Sequence, residues 1–428
     1  MRVLVKSFGC STSLADGAVL AGCLQKAGYR LVDSVSAADV IVYNTCAVKG
    51  PTENRMIEIS KRVPEGKKLI VAGCLPLIDF ERLQKEVRLD GAVGPAMGDR
   101  IVEVVNRVLG GEKVVELIQG KDMPELGLPR IQSNPVTSIV PISYGCLGSC
   151  AYCCVTFARG GLRSYSVEEV VERARADVAS GVREIWLTSQ DTACYGKDRG
   201  TDLAELLNAV CKAKGDFKVR VGMMTPNAAM DILEDLVLGF QNEKVFKFLH
   251  LPVQSGDDGV LKEMRRFYSV DDFKEVVRVF RSDFPEMTLA TDVICGFPGE
   301  GEEAFGRSLD LIEEVNPDVV NVSKFFARPR TLAAEMWREF VPLAEIKRRS
   351  TAAGALAKKV ALKRNQRWVG WTGEILVDEV GKVAGSWIGR NFAYRPVVVR
   401  SADDLIGKKL QVKVVRAFQT YLEGEVVG

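Results

Sequence analysis

The sequence predicts an α/β protein in three parts: a flavodoxin-like amino-terminal domain, a partial (β/α)6 barrel and a small carboxyl-terminal β-barrel. Three observations carry that prediction. Short β-rich runs alternate with helical stretches through residues 1–125, the alternation restarts over 137–340, and from residue 368 it gives way to short strands rich in valine and glycine. With 428 residues, 47% of them hydrophobic and 27% charged, the chain has apolar material for two to three cores. Its net charge of +2 gives no global sign of nucleic acid.

In the first part, strands are expected over 3–8, 39–43 and 68–72, with helices near 13–27 and 52–62, the βαβ punctuation of a parallel sheet. Pro124, Pro129 and Pro135 mark a linker. Six strands follow, over 139–144, 184–188, 218–223, 245–251, 288–294 and 319–325, the first five each trailed by a helical pattern. Such a series makes an open parallel barrel whose active site lies at the carboxyl ends of its strands. Residues 341–367 form a helix with eight Lys or Arg and one acid, Glu345, and 368–428 form the last barrel. The basic helix is either an RNA-facing surface or a solvated face.

The eleven cysteines, an odd number spread over a long chain without a secretory leader, suit a reducing cytoplasm. No apolar run approaches the roughly 20 residues of a membrane span. His250 is the sole histidine, which excludes multi-histidine metal sites.

Cys146, Cys150 and Cys153 form C-x3-C-x2-C. Three thiolates on one loop suit an iron-sulfur cluster with one iron left open, whereas a closed zinc site asks for four ligands. Cys154 is poorly placed to join Cys153 on one metal and is read as packing. Cys10, Cys46 and Cys74 each follow a predicted strand directly, so all three fall on one edge of a parallel sheet, where ligands gather. They form either a second site or three small buried hydrophobes. Cys23, Cys194, Cys211 and Cys295 are read as packing, and His250 as either a hydrogen-bonded core histidine or a proton carrier. Arg159 and Arg163, beyond the cluster loop, are able to fork onto a carboxylate or phosphate, or to form surface ion pairs.

These cysteines resemble those of the radical SAM methylthiotransferases. Similarity also lies in Leu187-Thr-Ser-Gln-Asp-Thr-Ala-Cys-Tyr-Gly196, Leu249-His-Leu-Pro-Val-Gln-Ser-Gly256 and Thr291-Asp-Val-Ile-Cys-Gly-Phe-Pro-Gly-Glu300, and it extends over essentially the whole chain. Gly389-Arg-Asn-Phe-Ala-Tyr-Arg-Pro-Val397 resembles the signature of a TRAM domain. The cluster loop and Ala158-Arg-Gly-Gly-Leu-Arg-Ser-Tyr165 are most similar to the archaeal and eukaryotic enzymes acting on threonylcarbamoyladenosine in tRNA.

The resemblance implies two 4Fe-4S clusters and S-adenosylmethionine (SAM). Cys146, Cys150 and Cys153 would hold the cluster that cleaves SAM, and Cys10, Cys46 and Cys74 one that carries the sulfur to be transferred. Ser189, Gln190, Gln254, Ser255, Asp292 and Glu300 would line the SAM site. Arg159 and Arg163, with Arg390, Tyr394 and Arg395 of the last domain, would meet substrate. The implied partners are a tRNA anticodon loop, whose splayed bases suit such chemistry, a low-potential electron donor and a sulfur donor. Other outcomes are the same chemistry on an isopentenyl-type adenosine or a ribosomal-protein aspartate, or an RNA-binding module with one cluster or zinc.

Overall fold

A computed structural model describes residues 1–46, 50–117 and 123–427. The amino-terminal sheet holds β1 (Arg2–Ser7), β2 (Arg30–Leu31), β3 (Val40–Thr45), β4 (Lys68–Gly73), β5 (Gly91–Val93) and β6 (Val114–Glu116), all parallel, in the order β2-β1-β3-β4-β5-β6. Every residue of β3 is buried, because helices cover both faces of the sheet. Val40, Val42 and Ile70 meet the helices Ser11–Lys26 and Ile101–Leu109 on one face, while Ile41, Leu69 and Val71 meet Gly50–Lys61, Leu75–Ile78 and Phe80–Glu86 on the other. Strand order reverses between β1 and β3, the crevice where open sheets of this kind bind ligands.

The strand expected over 139–144 is divided at Ile142. β7 (Thr137–Pro141) enters the barrel, whereas β8 (Ser143–Tyr144) turns away to pair antiparallel with β9 (Arg163–Ser164) beyond the cysteine loop. β10 (Glu184–Thr188), β11 (Lys218–Val221), β12 (Phe248–His250), β13 (Thr288–Cys295) and β14 (Val319–Lys324) complete six parallel strands. They run as two three-stranded sheets, β7-β10-β11 and β12-β13-β14, joined by one bridge between Val219 and Val245. Side chains alternate. Ile185, Leu187, Val219, Val221, Leu249 and Leu289 pack outward under the helices, and Trp186, Arg220, Phe248 and Ala290 take the inward positions between them.

The helix Leu343–Gln366 leads to a closed barrel of β15 (Thr372–Val380), β16 (Ser386–Arg390), β17 (Pro396–Arg400), β18 (Lys409–Ala417) and β19 (Leu422–Val426), in the order β15-β16-β17-β19-β18. The β16–β17 loop is not free to meet RNA, as the sequence suggested for Arg390, Tyr394 and Arg395. It plugs the amino-terminal end of the large barrel. Tyr394 is buried against Phe246, Phe248 and Trp186, its ring centre 4.9 Å from that of Phe246. The Lys247 N–H donates to Phe392 O at 2.8 Å rather than to a strand, which is why β12 begins later than expected. Arg390 pairs with Asp378 and Glu379. Arg395 lies 3.7 Å from the buried Asp318, which also takes both arms of Arg364 at 3.0 Å. In the basic helix, Arg348 and Arg349 are likewise engaged by acids, leaving Lys347, Lys358 and Lys363 exposed without an ion pair among the described residues.

An aromatic side chain buried this fully supports the junction. Tyr394→Ala is expected to cost about 3–5 kcal/mol, read as a lower urea midpoint, and a loss below ~1 kcal/mol would show that the plug does not hold the domains together. Burial, with Asp378 close by, pushes the Glu184 carboxyl up to about 7, and burial pushes Asp378 up to about 6. Both groups bind protons more tightly when folded. Their contribution is therefore complete below the ordinary carboxyl range and is lost as pH rises through 6 to 7. The melting temperature should fall by about 2 °C or more between pH 5 and pH 8, and Glu184→Gln should flatten that fall.

Candidate active site

The loop after β8 carries Cys146, Cys150 and Cys153. A Cβ at Gly148 would lie 3.3 Å from Cys146 Sγ and 3.6 Å from Cys150 Sγ, so both sulfurs flank the same point of the loop. Each sulfur has its own donor. Gly148 N–H reaches Cys146 Sγ at 3.2 Å, Val155 N–H reaches Cys153 Sγ at 3.5 Å, and Arg266 Nη1 reaches Cys150 Sγ at 3.2 Å. Burial pushes the Cys146 thiol up to about 11 and Cys153 higher still, so these sulfurs give up protons in exchange for a metal. Cysteine thiolates hold iron-sulfur clusters and hydrogen bonds to their sulfurs tune them, so three thiols each with a donor fit one. Cys154 packs in the core with Cys74 and Ala158.

The second trio sits at the carboxyl edge of the amino-terminal sheet, after β1, β3 and β4. Two glycines bring its loops together. Gly9 (φ +123°) and Gly73 (φ +96°) precede Cys10 and Cys74, and a Cβ would fall 2.4 Å from Cys46 Cβ at the first and 2.3 Å from Thr45 O at the second. Cys10 occupies the N-cap position of the helix Ser11–Lys26, and its side chain makes no capping hydrogen bond. Burial, partly offset by the nearby Arg159 charge, pushes Cys74 up to about 12. Among the described residues no three of His, Cys, Asp and Glu surround a point as a single ion would need. A cubane cluster instead takes one thiolate at each of three corners.

This edge faces the barrel mouth. Ser11 Oγ lies 2.6 Å from Thr188 Oγ1 at the end of β10, and Gln190 Nε2 donates to Thr12 Oγ1 at 3.4 Å. Asp16, buried in the first helix, accepts from Tyr144 OH at 2.5 Å and from Arg159 Nη2 at 2.7 Å. Arg159 is thus no surface residue: it is buried, stacks 5.5 Å from the Tyr144 ring centre, and its Nη1 has no hydrogen-bond partner. Arg163 donates to Arg159 O. Arg159 thus serves the domain junction, with Arg163 bonded to its carbonyl.

Of the other expected residues, Ser189 and Gln190 present buried Oγ and Oε1 atoms without partners at the carboxyl end of β10, as a polar ligand group would require. Gln254 holds φ +72°, a strained setting for a side chain other than glycine. Three are committed elsewhere in part or whole. Ser255 contacts Ser308 at 3.5 Å, Asp292 accepts from Asn321 and meets His250 Nε2 at 3.1 Å, and Glu300 takes Gly296 N–H and Arg349 at 2.9 and 2.8 Å. The structure adds Asp16 and Arg266, which no motif had marked, and Asp191, which lay in the quoted 187–196 motif without a role. Asp191 accepts from Thr225 and Ala193, and its charge raises the Cys146 pKa.

Comparison with known proteins fits this arrangement. Residues 140–312 match the Radical SAM superfamily, 2–94 the uncharacterized protein family UPF0004 and 366–427 the TRAM domain. A probable threonylcarbamoyladenosine tRNA methylthiotransferase of Pyrococcus abyssi is 39% identical, with all of both chains covered. The human threonylcarbamoyladenosine tRNA methylthiotransferase is 35% identical over all of this chain and 74% of its own. Among solved structures, the radical S-adenosylmethionine methyltransferase TsrM of Kitasatospora setae shares the fold at TM-score 0.56 and 13% identity, covering 78% of this chain and 74% of that one. The barrel and its cysteine loop are therefore those of a radical SAM enzyme. Within that class, the chain belongs to the threonylcarbamoyladenosine tRNA methylthiotransferase family.

Arg266 holds a positive charge and an N–H on one sulfur of the barrel loop. Arg266→Gln should leave iron content unchanged but make reduction harder, lowering the reduced-to-oxidised ratio at fixed potential about tenfold, as expected for a charge-assisted hydrogen bond. Redox titration followed by electron paramagnetic resonance measures this, and an unchanged ratio would remove Arg266 from that role.

Proposed function

We propose that this enzyme adds a methylthio group to carbon 2 of N6-threonylcarbamoyladenosine beside the tRNA anticodon, with two 4Fe-4S clusters. Cys146, Cys150 and Cys153 hold one, and Cys10, Cys46 and Cys74 the other. The observation that carries this reading is the meeting of two cysteine trios at one barrel mouth, joined by the contact of Ser11 with Thr188.

When bound, the barrel cluster and SAM supply a carbon radical able to take hydrogen from the adenine, and the second cluster supplies sulfur. The residues of the chain do the rest. Ser189 and Gln190 offer their partnerless polar atoms to SAM at the end of β10. Gln254, at the end of the β12 segment, and Asp292 complete the polar wall opposite. Tyr394 closes the far end of the barrel and keeps bulk water from entering behind the substrate. Asp16, Tyr144 and Arg159 fix the distance between the two loops, on which transfer from one centre to the other depends. No helix among the described residues is long and apolar enough to cross a membrane. A low-potential electron donor and a sulfur donor act as partners, and an anticodon loop presents the unstacked base.

Anaerobically purified protein should contain about eight irons per chain, and replacing either cysteine trio with alanine should leave about four. The methylthio mark should be absent from nucleosides of a deletion strain and be restored by the native gene alone, not by either triple variant. Full iron content after loss of the amino-terminal trio would refute the second centre.

A further inference from the structure

Arg220 takes the inward position of β11, level with Trp186 on β10. Its guanidinium carbon lies 4.7 Å from the Trp186 ring centre, 4.8 Å from that of Phe248 and 5.2 Å from that of Tyr394. Three rings hold the group in place without neutralising it. Arg220 makes no ion pair with the described residues, and its Nε is buried without a hydrogen-bond partner. Inward polar groups on the other strands, His250, Asp292 and Asn321, are bonded to one another, and the inward carboxylate on β10, Glu184, which shares the Tyr394 ring with Arg220, accepts from Trp186 Nε1. A guanidinium inside a barrel and without an ion pair is expensive unless a ligand brings one, and its planar fork matches a carboxylate.

We propose that Arg220 binds the carboxylate of the threonylcarbamoyl group and so selects the modified adenosine over an unmodified one. The inference rests on the substrate reading above. Both that carboxylate and the phosphates of the RNA are anions, but Arg220 lies at mid-strand on the aromatic floor, below the mouth where the RNA backbone would lie. An aromatic floor also suits the planar ureido portion that joins the carboxylate to the base. The plug residue Tyr394 then has a second role, as one wall of the arginine's box.

The test compares binding of three anticodon stem-loop RNAs to the full-length protein by fluorescence anisotropy. One carries threonylcarbamoyladenosine, one its methyl ester and one plain adenosine. The native protein should bind the acid about tenfold or more tightly than the ester. Arg220→Gln should bind acid and ester alike while retaining its affinity for the plain RNA, and Arg220→Lys should keep part of the preference. In turnover, Arg220→Gln should raise KM for the acid with little change in kcat. A merely structural role would weaken all three RNAs together. If Arg220→Gln keeps the native acid-to-ester ratio, or weakens the plain RNA equally, the assignment of Arg220 is overturned. If the native protein prefers the acid form over neither ester nor plain RNA, the substrate reading itself fails.

Discussion

One buried carboxylate, Asp16, ties the two metal-binding loops together. It sits six residues beyond Cys10 and holds the hydroxyl of Tyr144, two residues before Cys146, and the guanidinium of Arg159. Taking such charges out of water is costly, and removing one partner from a buried pair typically costs about 3–5 kcal/mol. That cost makes the geometry rigid: neither loop shifts without breaking the set. A second buried pair, Glu53 with Arg328, also joins the amino-terminal domain to the barrel, and Arg330 adds a bond to Leu77 O. The domain junction is thus fixed by directional polar contacts rather than by apolar area alone.

Strand polarity explains why the two loops face each other. In a parallel sheet all carboxyl ends share an edge, and in a parallel barrel they share a mouth. Two such domains placed edge to mouth put every strand-end residue at one interface. Gly9 and Gly73 then let three loops close on Cys46, and Gly148 leaves room between two sulfurs of the other loop.

That much was legible in the sequence, because strand-end cysteines and barrel strands are local patterns. The strands expected over 39–43 and 184–188 appear as β3 and β10. The remainder depended on long-range pairing. Arg390, Tyr394 and Arg395 look like an exposed nucleic-acid loop by residue type, yet their partners Asp378, Phe246 and Asp318 lie in other segments of the chain. The division of the expected 139–144 strand at Ile142 followed from pairing with Arg163–Ser164, twenty residues away. Asp16 and Arg220 carried no signal at all, since a lone acid in a helix or a lone arginine in a strand is ordinary until its neighbours are known.

The stoppered barrel makes the carboxyl-terminal module more than an appendage for grasping RNA. Because its β16–β17 turn supplies the base of the neighbouring chamber, cutting the chain after the long helix would leave a tube open at both ends. A loss of activity in such a truncation would therefore confound weakened RNA capture with solvent flooding of the reaction vessel, and only point changes on the module's outer wall separate the two.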